Sequence, residues 1–179
     1  MRFSRSRGGI RASLAEVEVN VLGQCVDDLL VLLGGSEEGA QQDPLAAMVG
    51  LPTGDPERPA DPALARLLPD AYGDDPAASR EFRRYTDADL RARKRADAAT
   101  VRASLPYGRG KVVLDRDQAD AWLGVLNDLR LVLGTRLEVT EETDLDGLDE
   151  SDPRRQALSL YGWLGWVQES LLTCLDPRT

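Results

Sequence analysis

Apolar positions along the chain recur mostly at helical spacing. Leu14, Val21, Cys25, Leu29 and Leu32 share one side of a helical wheel, with Glu16, Asn20 and Asp27 opposite. Ser13 and Glu16 have the spacing of a capping box, and Gly34-Gly35 reads as a stop, which predicts a helix from Ser13 to about Leu33. Trp122, Leu126, Leu129 and Leu133 stack in the same way within a segment capped by Asp115 and Gln118 and closed by Gly134. Leu160, Leu164, Val167, Leu171 and Leu175 predict a last helix from Pro153 to about Leu175. Asp61-Pro62 and Asp75-Pro76 mark the starts of two short helices, with Thr86 and Asp89 a further capping signal in the charged stretch that follows. Aspartate accepts from free amides, and proline at the first helical position forfeits no hydrogen bond.

The first residues follow a different pattern. Phe3–Arg7 and Ile10–Ala12 flank Gly8-Gly9, which predicts a hairpin with a two-residue primed turn, and Lys111–Leu114 is a candidate third strand. The fold class expected is mainly α: an irregular bundle of about five or six helices with a small N-terminal β-hairpin. One domain, residues 1–179, is expected. Residues 34–62 are rich in Gly, Pro, Gln and Asp and read as a connection with one short helix near Pro44–Val49. Residues 138–152 hold eight carboxylates and no Lys or Arg, and read as an acidic loop.

Composition narrows the chemistry. The 179 residues carry a formal charge of -9 and no histidine. Serine–histidine and cysteine–histidine pairs are therefore excluded within the chain, as are histidine-bearing zinc sites. Cys25 and Cys174 are too few for a four-thiolate site or a disulfide framework. No apolar run approaches the ~20 residues of a membrane span, and no secretory signal is evident, so a cytoplasmic protein without membrane partners is expected. Of the 22 cationic residues only Lys94 and Lys111 are lysine, a skew that a GC-rich genome would produce. Met1–Ala12 holds four arginines and no acid.

Several constellations invite a function, and each has a plainer reading. On a continuous helix over 80–104, Arg84, Arg91, Arg95 and Arg102 align within about 40° over about 27 Å, a pattern suited to phosphate contacts. The net charge opposes nucleic-acid binding, and a solvated helix face partly neutralised by the 138–152 loop is the favoured reading of the stripe. Asp144 and Asp146 resemble the start of an EF-hand loop, but the glycine and the closing glutamate of that motif are missing. Asn127, Asp128 and Arg130 read as a polar helix face, with Arg130 at its rim and paired to a carboxylate. Cys25 and Cys174 read as small core residues, and Arg109-Gly110-Lys111 fails the phosphate-loop pattern. Trp166 projects from the last helix near Gly162, Ser170 and Thr173, either into a second buried side or onto a partner surface.

Three stretches carry a resemblance: Asp61-Pro62-Ala63-Leu64-Ala65-Arg66-Leu67-Leu68-Pro69-Asp70-Ala71-Tyr72, Glu81-Phe82-Arg83-Arg84, and Leu126-Asn127-Asp128-Leu129-Arg130-Leu131-Val132-Leu133-Gly134-Thr135-Arg136-Leu137. Together they resemble the actinobacterial domain-of-unknown-function family numbered twenty-seventeen, over nearly the whole chain. The resemblance implies no established activity, a gene often beside that of the ClpS adaptor, and in some members a transcriptional-regulator label. The first expectation is a non-enzymatic protein-interaction module accessory to regulated proteolysis, with Trp166, Glu141, Glu142, Asp144 and Asp146 as its partner surface. The alternative is a DNA-binding regulator using the arginine stripe. Acid–base chemistry by paired carboxylates ranks last. No catalytic set, cofactor or metal site is expected, and self-association is left open.

Overall fold

The computed structural model describes residues 1–34, 58–143 and 152–176. The chain starts with strands β1 (Phe3–Ser6) and β2 (Gly9–Leu14), and β2 pairs on its other side with β3 (Gly110–Leu114). Both pairings are antiparallel, in the order β1-β2-β3. The hairpin forms, but its turn residues are Arg7 and Gly8, because Ser6 pairs with Gly9. Neither turn residue has a positive φ, so the expected primed turn is absent; Gly9 takes the unusual conformation instead, at φ 124°. A Cβ there would stand 2.3 Å from the Leu114 carbonyl oxygen, so only glycine fits.

Phe3, Ile10, Ala12, Leu14, Val112 and Leu114 point inward and are buried. Ser13, read from sequence as a helix cap, is instead a strand residue opposite Lys111. Backbone pairing with β3 carries the chain to Leu14 before it can turn, so helix α1 runs Glu16–Gly34. Its first turn is closed by Glu18, whose carboxylate accepts from the Ala15 amide at 2.8 Å and from the Met1 ammonium.

The buried side of α1 is Val19, Leu22, Val26, Leu29 and Leu33. Of the stripe expected from sequence, Leu14 and Leu29 are buried, whereas Val21, Cys25 and Leu32 lie one flank over and are only partly covered. Apolar residues line both flanks of α1, and packing decides between them. Gly23 faces the side chains of Arg102 and Leu105, at the end of the long helix Pro76–Ser104 and just past it.

Four more helices follow among the described residues: α2 (Pro62–Leu67), α3 (Pro76–Ser104), α4 (Arg116–Arg136) and α5 (Arg155–Leu175). Asp61 and Asp75 cap α2 and α3, each accepting from two backbone amides, and Asp115 with Gln118 completes the capping box of α4. The fold is thus mostly helical with a small N-terminal sheet, as expected. Gly134 does not end α4. The helix runs on to Arg136 with the Tyr161 ring lying on Gly134, where a Cβ would be 3.3 Å away.

α4 is the central element, packed against α2, α3 and α5 and touching α1, β2 and β3. Trp122 on α4 is fully buried; its Nε1 donates to Ser104 Oγ at 2.9 Å, and its ring meets Phe3 edge-on at 5.6 Å. Burying such a side chain with its polar atom satisfied contributes roughly 1.5–3 kcal/mol. The short helix expected near Pro44–Val49 lies outside the described residues.

Candidate functional site

α3 is one continuous helix, and Thr86 does not interrupt it: its hydroxyl donates back to the Phe82 carbonyl at 2.9 Å. The arginine stripe on this helix is therefore aligned, but part of it faces α1 rather than open solvent. Arg91 donates to the Leu33 carbonyl at 3.1 Å, satisfying an acceptor in the last turn of α1, and to Asp87 at 3.2 Å. Arg102 is bonded to Asp27 of α1 at 2.8 Å. Arg95 is half-buried, and Arg84 is exposed. Beside the stripe, the buried Arg83 holds the chain entering α3 by donating to the Leu68 carbonyl at 3.2 Å and to Asp70 at 2.6 Å.

The polar face expected on α4 is only partly polar. Asn127 is exposed, but Asp128 is buried against α3. Lys94 Nζ reaches both of its carboxylate oxygens, and burial pushes the Asp128 carboxyl above the ordinary aspartate range, with Asp97 adding to the effect and Lys94 opposing it. Arg130 is at the rim, as expected, yet its partners are neutral. It donates to Gln168 at 2.7 Å and to the Tyr161 hydroxyl at 3.3 Å, with its guanidinium 5.1 Å from the Tyr161 ring centre. Its Nε is buried without a partner, because it faces the bare backbone of Gly165. The carboxylate expected to pair with it is absent among the described residues.

Of the acidic segment, Glu141 and Glu142 are exposed in a turn held by Thr140 and Thr143, whereas Asp144 and Asp146 lie outside the described residues. Among the described residues no group of three Cys, Asp or Glu side chains converges to hold a metal ion, and no helix is long and apolar enough to cross a membrane.

A groove of about 390 Å³ lies between α1 and α4, walled by Cys25, Leu29, Val31, Leu129 and Leu133, with Asp28 and Arg136 as its charged groups. Burial, and then Asp28, push the Cys25 thiol up, opposite to the activation that a nucleophilic thiol needs.

Trp166 is 50% exposed on α5, whose other side buries Leu164, Val167 and Leu171. It is not a second core contact. The groove of small residues expected beside it is partly taken by β1, since Ser170 Oγ accepts from the Phe3 amide at 3.3 Å. Next to this, Arg5 closes the end of α5 by donating to the carbonyls of Cys174 and Asp176.

The chain matches the model of a domain of unknown function, DUF2017, over residues 1–175. The chain belongs to the DUF2017 family. Among curated relatives, it is 33% identical to the oxidative stress regulator AosR of Mycobacterium tuberculosis (strain ATCC 25618 / H37Rv), in an alignment of 178 residues covering 92% of this chain and 81% of that protein. The oxidative stress regulator AosR of Mycobacterium bovis matches to the same extent. No solved structure matches. Two features were missed from sequence: Lys94 as the partner of Asp128, and the cations on the sheet. The run of arginines without acids in Met1–Ala12 was the signal for the second.

Proposed function

We propose that this DUF2017 chain is a regulator of an oxidative stress response that works by binding another protein rather than by catalysis. The observation that carries this reading is the half-exposed Trp166, a large aromatic on the outer side of a helix whose inner side is core. The names of the AosR relatives supply the oxidative-stress context. Glu141 and Glu142 extend the candidate partner surface as exposed carboxylates. The cytoplasm is the proposed place of action. An accessory role in regulated proteolysis is a finer proposal, resting on the gene neighbourhood beside the ClpS adaptor that the family resemblance implies. The arginine stripe supports the DNA-binding alternative less well, since Arg91 and Arg102 are already engaged by α1.

The test is complementation of a deletion strain under peroxide challenge. Restoration by the wild-type gene, with failure of a folded, normally expressed Trp166→Ala variant, is the expected result. Full restoration by Trp166→Ala removes the tryptophan surface from the proposal, and an unchanged peroxide response in the deletion strain removes the regulatory role.

A further inference from the structure

In a chain with 31 acids and 22 bases, one surface is purely cationic. The outward positions of the sheet are Ser4, Arg11, Ser13, Lys111 and Val113, all exposed. Arg11 stands opposite Val113 and Ser13 opposite Lys111, so Arg11 and Lys111 are diagonal neighbours, about 7–8 Å apart at the backbone. Exposed Arg2, Arg7 and Arg109 extend the charge into the segments that flank the strands. Among the described residues none of these five cations makes a side-chain hydrogen bond or an ion pair. Arg5 differs, because it points to the other side and is used to close α5.

Like charges within about 8 Å repel at physiological salt, so holding them together with no ion pair among the described residues works against the fold. Protection of a sheet edge explains a lysine on β3 but not Arg11, which lies on the central strand. β3 itself pairs on one side only among the described residues, leaving alternate backbone amides and carbonyls on its outer edge without a strand partner. Val113 on this edge strand is 58% exposed.

We propose that this face docks an acidic, extended segment of a partner protein, which adds to the free edge of β3 as a fourth strand. Its carboxylates then lie on the outward face with Lys111, Arg11 and Arg109, and its alternate, apolar residues on the inward face, the side of Val112 and Leu114. A five-residue strand is about 17 Å long. That length suits a short peptide, whereas a nucleic-acid duplex would run past the patch onto Glu16 and Asp115 at its two ends and into the field of a chain charged -9. The inference deepens the partner-binding reading, but it does not depend on Trp166.

The test is titration of an alternating Glu–Val peptide of β3's length into the full chain at low salt, read by backbone amide shifts. Saturable binding with shifts centred on Gly110–Leu114 is expected. It should weaken about tenfold in high salt or in the Arg11→Glu/Lys111→Glu double variant, whose substitutions are both on exposed positions, and vanish for a Lys–Val peptide. Trp166→Ala retains this binding, so failure of the peptide interaction and failure of the tryptophan surface are seen separately. Absence of saturable binding, indifference to the double variant, or equal displacement of the peptide by mixed-sequence duplex DNA overturns the proposal, the last in favour of a nucleic-acid face.

Discussion

Lys94 Nζ lies 2.7 and 2.8 Å from the two carboxylate oxygens of Asp128, joining α3 to the centre of α4. Asp128 is almost fully buried, and Asp97 places a second carboxylate in its field. Lys94→Met leaves the Asp128 charge buried and unpaired, which costs about 3–5 kcal/mol, whereas Lys94→Met/Asp128→Leu recovers most of that loss. The pH dependence follows from the direction of the shift. A carboxyl raised in the folded state binds more protons there than in the unfolded chain, over the window above the ordinary aspartate value of 3.8. This group's contribution to stability therefore falls as pH rises through that window. Removing Lys94 raises the folded value further, so the Lys94→Met penalty is larger at neutral pH and shrinks on acidification. Urea unfolding of wild type and variant from acid to neutral pH measures this; a penalty independent of pH would refute it.

Arg130 presents the opposite case, a partly buried cation held only by neutral groups. Arg130→Met removes a charge that no carboxylate compensates, while its stem packing over Gly165 is retained. It should cost less than about 1 kcal/mol. Gln168→Leu instead deletes its 2.7 Å acceptor, leaving the guanidinium only the Tyr161 hydroxyl and ring, and should cost about 1–3 kcal/mol. In the double variant the Gln168→Leu penalty should largely disappear. Thermal unfolding of the three proteins forms the cycle, and additive losses would show that the two residues are not coupled.

The end of α4 stores a local strain. Glu138 sits at φ 54°, just past the helix, where Val139 returns its amide to the Gly134 carbonyl at 2.9 Å. That conformation costs a residue with a Cβ about 1 kcal/mol and costs glycine little. Glu138→Gly should therefore raise stability by about 1 kcal/mol, less the greater freedom that glycine gives the unfolded chain. An unchanged or lowered melting temperature would count against strain at this position.

The starts of α2, α3 and α4 were legible because Asp61, Asp75 and Asp115 cap by chemistry confined to a few neighbouring residues. Ser13 was misread for the complementary reason: its strand partner Lys111 is remote in sequence, and ladder pairing there outweighs a local capping signal. The buried side of α1 was legible only in part, at Leu29, since both flanks are apolar and only the approach of α3 at Gly23 selects one. Asp128 looked like an exposed polar residue because its counter-charge comes from another helix. The candidate site followed the same division. The arginine periodicity was correct, but the use of Arg91 and Arg102 was decided by the end and side of α1, which no spacing within α3 reveals.

That engagement makes a prediction separating scaffold from binding. Arg91 supplies a donor to a terminal carbonyl of α1, so Arg91→Ala leaves the Leu33 acceptor short of a partner and should destabilise by about 1–2 kcal/mol. Arg102 and Asp27 are each about half exposed, and solvent screens such a pair, so Arg102→Ala should cost less than about 1 kcal/mol. If α3 instead served as a phosphate-binding face, both substitutions would reduce affinity for duplex DNA at low salt and flatten its salt dependence. The geometry predicts loss of stability for Arg91→Ala, little change for Arg102→Ala, and no duplex binding for either variant or the wild type. Denaturation midpoints and a low-salt gel shift distinguish the two accounts. A stable Arg91→Ala protein with weakened DNA binding would return the stripe to function.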